Sequence, residues 1–190
     1  MKKPLLFKYV FPFVQWYALM VFLTLVIDYF LHRYQLVYVG RYLGPLGTVV
    51  ILLSFIYSLK KRKLIESSSP KKLLLLHEYL SWIGSIMILV HAGIHFNALL
   101  PWLGIIMLLV VVASGLVGKY LLKKSNESLK DRKLALVSTG LSAEEADKKL
   151  FFDSITVDLM KSWRVVHLPM TFLFGVLSLM HIITIIMFSK

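Results

Sequence analysis

The chain has no cysteine. That excludes a disulfide framework, a thiolate-ligated iron–sulfur cluster and the C-x-x-C-H attachment of a covalently held haem. Acidic residues are also scarce, ten against 22 Lys and Arg, which leaves a formal net charge of +12. Such a balance raises the question of nucleic acid, but the basic residues sit between long uncharged runs. There, positive charge sets membrane orientation and meets anionic lipid. No low-complexity tract or true repeat occurs, and no G-x-G-x-x-G follows a strand pattern, so nothing points to a nucleotide-binding fold.

What is abundant is apolar surface. Hydrophobic residues make up 58% of the 190, with a mean hydropathy of +0.75. They cluster in runs that predict spanning helices at about 11–31, 44–59, 73–97, 102–122 and 163–188. The expected fold class is therefore all-α, an integral membrane bundle of five transmembrane helices forming one domain over residues 1–190. The first run follows Lys2, Lys3 and Lys8; it is too long for a signal-peptide core, lacks a small-residue cleavage pattern and is expected to remain as an anchor. Gly44-Pro45 opens the second and Lys60-Lys61-Arg62-Lys63 closes it. Ser67-Ser68-Ser69-Pro70 reads as a turn, with Ser69 as N-cap and Pro70 at the first helical position. Pro101 marks a tight return into the fourth run, and Pro169 removes one backbone donor near the start of the fifth. Between these two lies a polar loop, 123–162, with seven acidic residues among its basic ones. Within it Gly140 precedes Ser142-Ala-Glu-Glu145, a capping-box pattern for a short helix, and Phe151-Phe152 are candidates to rest on the membrane surface.

Lys and Arg are unevenly shared between the two sides. Three precede the first helix, six lie between the second and third, and ten lie from Lys119 to Arg164, against only Arg33, Arg41 and Lys190 on the other side. The bias predicts a cytoplasmic N-terminus, an outer C-terminus and a cytoplasmic 123–162 loop, in a prokaryotic plasma membrane. The third and fifth helices then run outward in parallel.

Six histidines occur, at 32, 77, 91, 95, 167 and 181. His77 and His91 are 14 residues apart, and so are His167 and His181. Fourteen steps of ~100° leave a helical residue ~40° from its starting azimuth and about 21 Å along the axis, so each pair shares a face. On parallel helices His77 comes level with His167, and His91 with His181. Two imidazoles from facing helices at one depth are what the iron of a flat porphyrin requires. The expectation is two stacked b-type haems between the third and fifth helices, the second and fourth closing the sides. His77 and His167 would hold the inner iron, His91 and His181 the outer. The alternative is four polar residues satisfied inside a bundle, although ionisable groups within a membrane are expensive and usually functional.

Other residues support this more weakly. Gly84 lies midway between His77 and His91, and Gly175 similarly between His167 and His181. A missing side chain there admits either a macrocycle edge or a close helix. Lys161 and Arg164 precede His167 and suit haem propionates, or simply belong to the positive-inside charge. His95, one turn beyond His91, fits a neighbour of the outer haem or half of a zinc pair. His32 follows Asp28 by four residues and is expected to pair with it.

This histidine spacing on the third and fifth helices resembles the transmembrane domain of the ferric-reductase and NADPH-oxidase superfamily, over roughly residues 40 to 190. The resemblance implies that His77, His91, His167 and His181 ligate an inner and an outer haem b. It also implies that electrons pass from cytosolic NADPH and flavin to an acceptor outside. Members of that family usually have six spans and a flavin and nicotinamide domain. Here the electron donor is therefore expected to be a separate cytoplasmic reductase subunit or a quinol. Respiratory diheme cytochromes b have similar spacing on their second and fourth helices. A quinone-reactive anchor subunit of a respiratory complex is accordingly an alternative. A metal-ion transporter using His91, His95 and His181 is another, and a structural scaffold with incidental histidines is a third.

Overall fold

A computed structural model describes residues 5–61, 70–93, 98–117 and 123–188. Among them there is helix and no strand: α1 (Leu5–Arg33), α2 (Val37–Ser54), α3 (Ile56–Lys61), α4 (Pro70–Gly93), α5 (Leu99–Leu116), α6 (Lys123–Ser138), α7 (Ala143–Lys149) and α8 (Phe151–Phe188). Five stretches are long and apolar enough to cross a bilayer: Phe11–Arg33, Val37–Lys60, Lys72–Gly93, Leu99–Leu116 and Val165–Phe188. Their large side chains point outward rather than into a core; Phe172 is 74% exposed and Phe188 77%. No water-soluble fold tolerates such continuous apolar surface. The chain is an integral membrane protein.

Helix ends differ from the sequence expectation where local chemistry was ambiguous. Gly44-Pro45 does not open the second span but lies inside α2, which starts at Val37. Proline there forfeits one i→i−4 hydrogen bond, and α2 tolerates the loss because the face carrying Gly44 packs on α4. The second span, Val37–Lys60, is consequently of full length. It contains one irregularity, at Phe55, whose N–H reaches Leu52 O at 3.0 Å before α3 resumes. Pro101 falls within the first turn of α5, where its missing N–H has no helical partner to lose. Pro70 is the first residue of α4 as expected; Ser67, Ser68 and the proposed N-cap Ser69 lie outside the described residues. The polar 123–162 stretch is helical rather than a loop. It forms α6, α7 and the first part of α8, so Pro169 is interior to a 38-residue helix, not near its start.

Two of the turns are Schellman motifs. After α1, Gln35 takes φ +56°, with Gln35 N–H on His32 O at 3.2 Å and Leu36 N–H on Leu31 O at 2.8 Å. After α6, Gly140 takes φ +92°, with Gly140 N–H on Val137 O at 3.0 Å and Leu141 N–H on Leu136 O at 3.3 Å. The capping box then starts α7: Glu145 N–H donates to Ser142 Oγ at 3.2 Å and Ser142 N–H to Glu145 Oε2 at 3.1 Å.

The chain divides into two compact units. One comprises Met1–Tyr17 and Ala113–Phe172. Within it α6 lies beside α7 with Lys133 paired to Asp147, and Ala146 and Leu150 are buried. The other comprises Ala18–Val112 and Leu173–Lys190. Its centre is the antiparallel pair α2 and α4, with Met20, Val90 and Leu108 almost wholly buried.

Every buried residue of α2 is small: Gly40, Gly44, Gly47 and Ser54. A Cβ added to Gly47 would stand 3.1 Å from Gly84 O, and one added to Gly84 would stand 3.1 Å from Gly47 O. The two backbones are thus in reciprocal contact, the approach that small residues permit between membrane helices. Lipid is as apolar as the side chains, so close packing rather than hydrophobic burial holds such a pair. Gly47→Ala and Gly84→Ala are each expected to cost about 1–3 kcal/mol. The double variant should cost less than the sum, because either methyl alone already separates the helices. Thermal unfolding in detergent measures both; strict additivity would refute the shared contact.

Candidate functional site

The α2–α4 contact repeats on a seven-residue step. Along α4 it involves His77, Gly84 and His91; along α2, in the opposite direction, Ser54, Gly47 and Gly40. His77 Nδ1 lies 3.0 Å from Ser54 O, and His91 Nδ1 lies 3.0 Å from Gly40 O. Seven residues bring a helical position back to within ~20° of its starting azimuth, so one antiparallel register serves all three contacts. Ser54 is the last residue of α2, where carbonyls lack intrahelical partners and accept a side-chain donor readily.

These bonds fix the chemistry of both rings. A carbonyl oxygen can only accept, so each Nδ1 carries the hydrogen and donates it. In the neutral imidazole the lone pair then resides on Nε2. A ligating histidine ordinarily donates its other ring nitrogen to a carbonyl or carboxylate in this way. His91 is further confined by Gly44. A Cβ at that position would lie 2.7–2.8 Å from Cδ2, Cγ and Cε1 of the ring, which therefore rests on bare backbone.

His167, on α8, makes a different contact: its Nδ1 is 2.6 Å from the hydroxyl of Ser114 on α5. His181 also lies on α8, half-buried like the other three histidines, and its carbonyl accepts from Thr184 Oγ1 at 2.8 Å. His32 pairs with Asp28 as expected, its Nδ1 2.9 Å from the Asp28 carbonyl and 3.5 Å from the carboxylate. That carboxylate also lies against Gly93, near the end of α4, where an added Cβ would be 3.0 Å from Oδ1.

The remaining candidates separate clearly. Gly84 faces the α2 backbone and Ile51, so its missing side chain serves close helix packing. Gly175 is exposed, and a Cβ there would meet nothing within 4 Å among the described residues. Arg164 lies on α8, but its side chain and those of Lys161 and Phe152 are outside the described set, as is His95 altogether. Among the described residues no three His, Asp, Glu or Cys side chains gather into a metal-ion cluster. A bis-imidazole site needs only two. Two imidazoles that each donate Nδ1 to a carbonyl, in a chain with no thiolate, are a donor set that could hold a b-type haem.

Sequence reasoning missed Ser54, Gly40, Gly44 and Ser114. The first two were detectable, since Gly40, Gly47 and Ser54 repeat on the same step of seven as His77, Gly84 and His91. Ser114 carries no such signal. No family model matches the chain, and comparison with curated proteins and with solved structures finds no match.

Gly44→Ala should destabilise the protein by about 1–3 kcal/mol, because the ring over it must move or give up its carbonyl. In a His91→Ala background the same change should be nearly neutral. A double-mutant cycle on unfolding midpoints checks this. Equal costs in both backgrounds would mean that Gly44 serves something other than the His91 ring.

Proposed function

We propose that the chain carries single electrons across the membrane through two bis-histidine b-type haems, as its resemblance to the ferric-reductase and NADPH-oxidase superfamily implies. In this reading His77 and His167 ligate the inner haem, and His91 and His181 the outer. Electrons come from a cytoplasmic reductase partner or a quinol and leave to an acceptor on the outer side. The N-terminus is cytoplasmic and the C-terminus outside.

The observation that supports this reading most is the matched pair of Nδ1–carbonyl bonds at His77 and His91. A structural histidine needs any one partner. Two histidines 14 residues apart, both donating Nδ1 to the same neighbouring helix, share a tautomer and an arrangement suited to ligation through Nε2. When bound, haem supplies the one-electron redox step. The chain supplies ligands about 21 Å apart along α4, a dry apolar surround and second-layer hydrogen bonds that tune basicity. Arg164 at the cytoplasmic end of the last span offers charge for propionates, and Gly175 offers a face free of side chain.

Purified protein from haem-replete cells should show a b-type reduced-minus-oxidised spectrum and two haems per chain in a pyridine assay. His77→Ala and His167→Ala should each remove one haem, and their combination still only one. His77→Ala combined with His181→Ala should remove both. A colourless preparation would overturn the proposal. Two-haem loss from the His77/His167 double variant would overturn the pairing.

A further inference from the structure

Of the histidines whose Nδ1 partner is described in the spans, His167 alone has a partner that can change roles. Ser114, whose hydroxyl lies 2.6 Å from that nitrogen, is 1% exposed, and it sits in the apolar run of α5. The residue after it is Gly115, where an added Cβ would stand 3.5 Å from Cε1 of the same ring. The last turn of α5 therefore meets the imidazole with one hydroxyl and a stretch of bare backbone. Other serine and threonine hydroxyls whose bonds are described in the spans turn back onto their own helix. Ser85 Oγ donates to Ser81 O at 2.6 Å, Thr48 Oγ1 to Gly44 O at 2.9 Å and Thr24 Oγ1 to Met20 O at 3.0 Å. Ser114, whatever else it bonds, also meets a side chain of a different helix.

A hydroxyl both donates and accepts, whereas the carbonyls behind His77 and His91 can only accept. For Nε2 of His167 to hold iron, Nδ1 must carry the hydrogen and Ser114 Oγ must accept it. We propose that Ser114 is a positioning residue for His167, fixing its coordinating tautomer and lowering the reduction potential of the one haem it ligates. This rests on the haem reading above. An imidazole that donates from Nδ1 gains electron density, binds more strongly through Nε2 and favours Fe(III) over Fe(II).

The test is a spectroscopic redox titration of the full-length haem-loaded protein in detergent. In Ser114→Ala one haem should be reduced more easily. Its Fe(II)/Fe(III) ratio at fixed ambient potential should rise by up to about tenfold, equivalent to about 59 mV for a one-electron couple. The other midpoint should stay in place. Ser114→Thr keeps the hydroxyl and should restore the wild-type value. Ser114→Cys, close in size but a weak acceptor, should shift the same way as alanine, and it serves if the alanine variant does not accumulate. The haem that shifts should be the one absent from His167→Ala. Unchanged midpoints in both the alanine and cysteine variants would overturn the role of Ser114, as would a threonine variant shifted as far as alanine. Wild-type protein lacking haem would instead overturn the proposed function itself.

Discussion

Where Gly47 and Gly84 meet, each backbone lies within van der Waals reach of the other's carbonyl oxygen. Everything known of the α2–α4 pair depends on this approach. An imidazole extends only a short way from its own helix, so His77 and His91 reach carbonyls of α2 because the helix axes are drawn together between them. A larger residue at either glycine would widen the gap, lengthening both histidine bonds together. The contact is therefore structural in itself and functional in what it sets at either end. In lipid, where association draws little on hydrophobic burial, such small-residue contacts are a principal source of helix–helix adhesion.

The second consequence concerns protons on rings. Histidine has two nitrogens, and an unconstrained imidazole exchanges between tautomers. Two carbonyls of α2 remove that freedom for His77 and His91, while a hydroxyl of α5 holds His167. If all three bind iron, the proposed inner centre is held from α4 against a rigid acceptor and from α8 against an adaptable one. Hydrogen bonds to the ring nitrogen opposite the metal are one means by which a protein sets the potential of a cofactor without changing its ligand type.

Much of this was legible in the sequence, and the remainder was obscured for identifiable reasons. The five spans follow from long uncharged runs, whose energetics in a bilayer admit few alternatives. Their ends were harder to place. Gly44-Pro45 has the composition of a helix start but lies within α2, because tertiary packing outweighs one missing hydrogen bond. The polar 123–162 stretch has charge enough to suggest a loop, yet the Ser142 capping box read from sequence proved to start α7. The spacing of the histidines was visible at once. Their partners on α2 were not singled out, since backbone carbonyls leave no trace in residue identity and only the glycine spacing hints at them. Ser114 is one hydroxyl in an apolar helix, and only coordinates could connect it with His167, 53 positions away.

The seven-residue step shared by α2 and α4 has an evolutionary corollary. Single-residue replacements can alter the spacing of the helices but leave their contacts in phase. Loss or gain of one residue between Gly40 and Ser54, or between His77 and His91, would turn everything beyond it by ~100° around the helix. One histidine would then face its carbonyl while the other faced away. Length variation in descendants of this protein should therefore be confined to the connections between helices, and the segments joining paired contacts should drift in composition while keeping their frame.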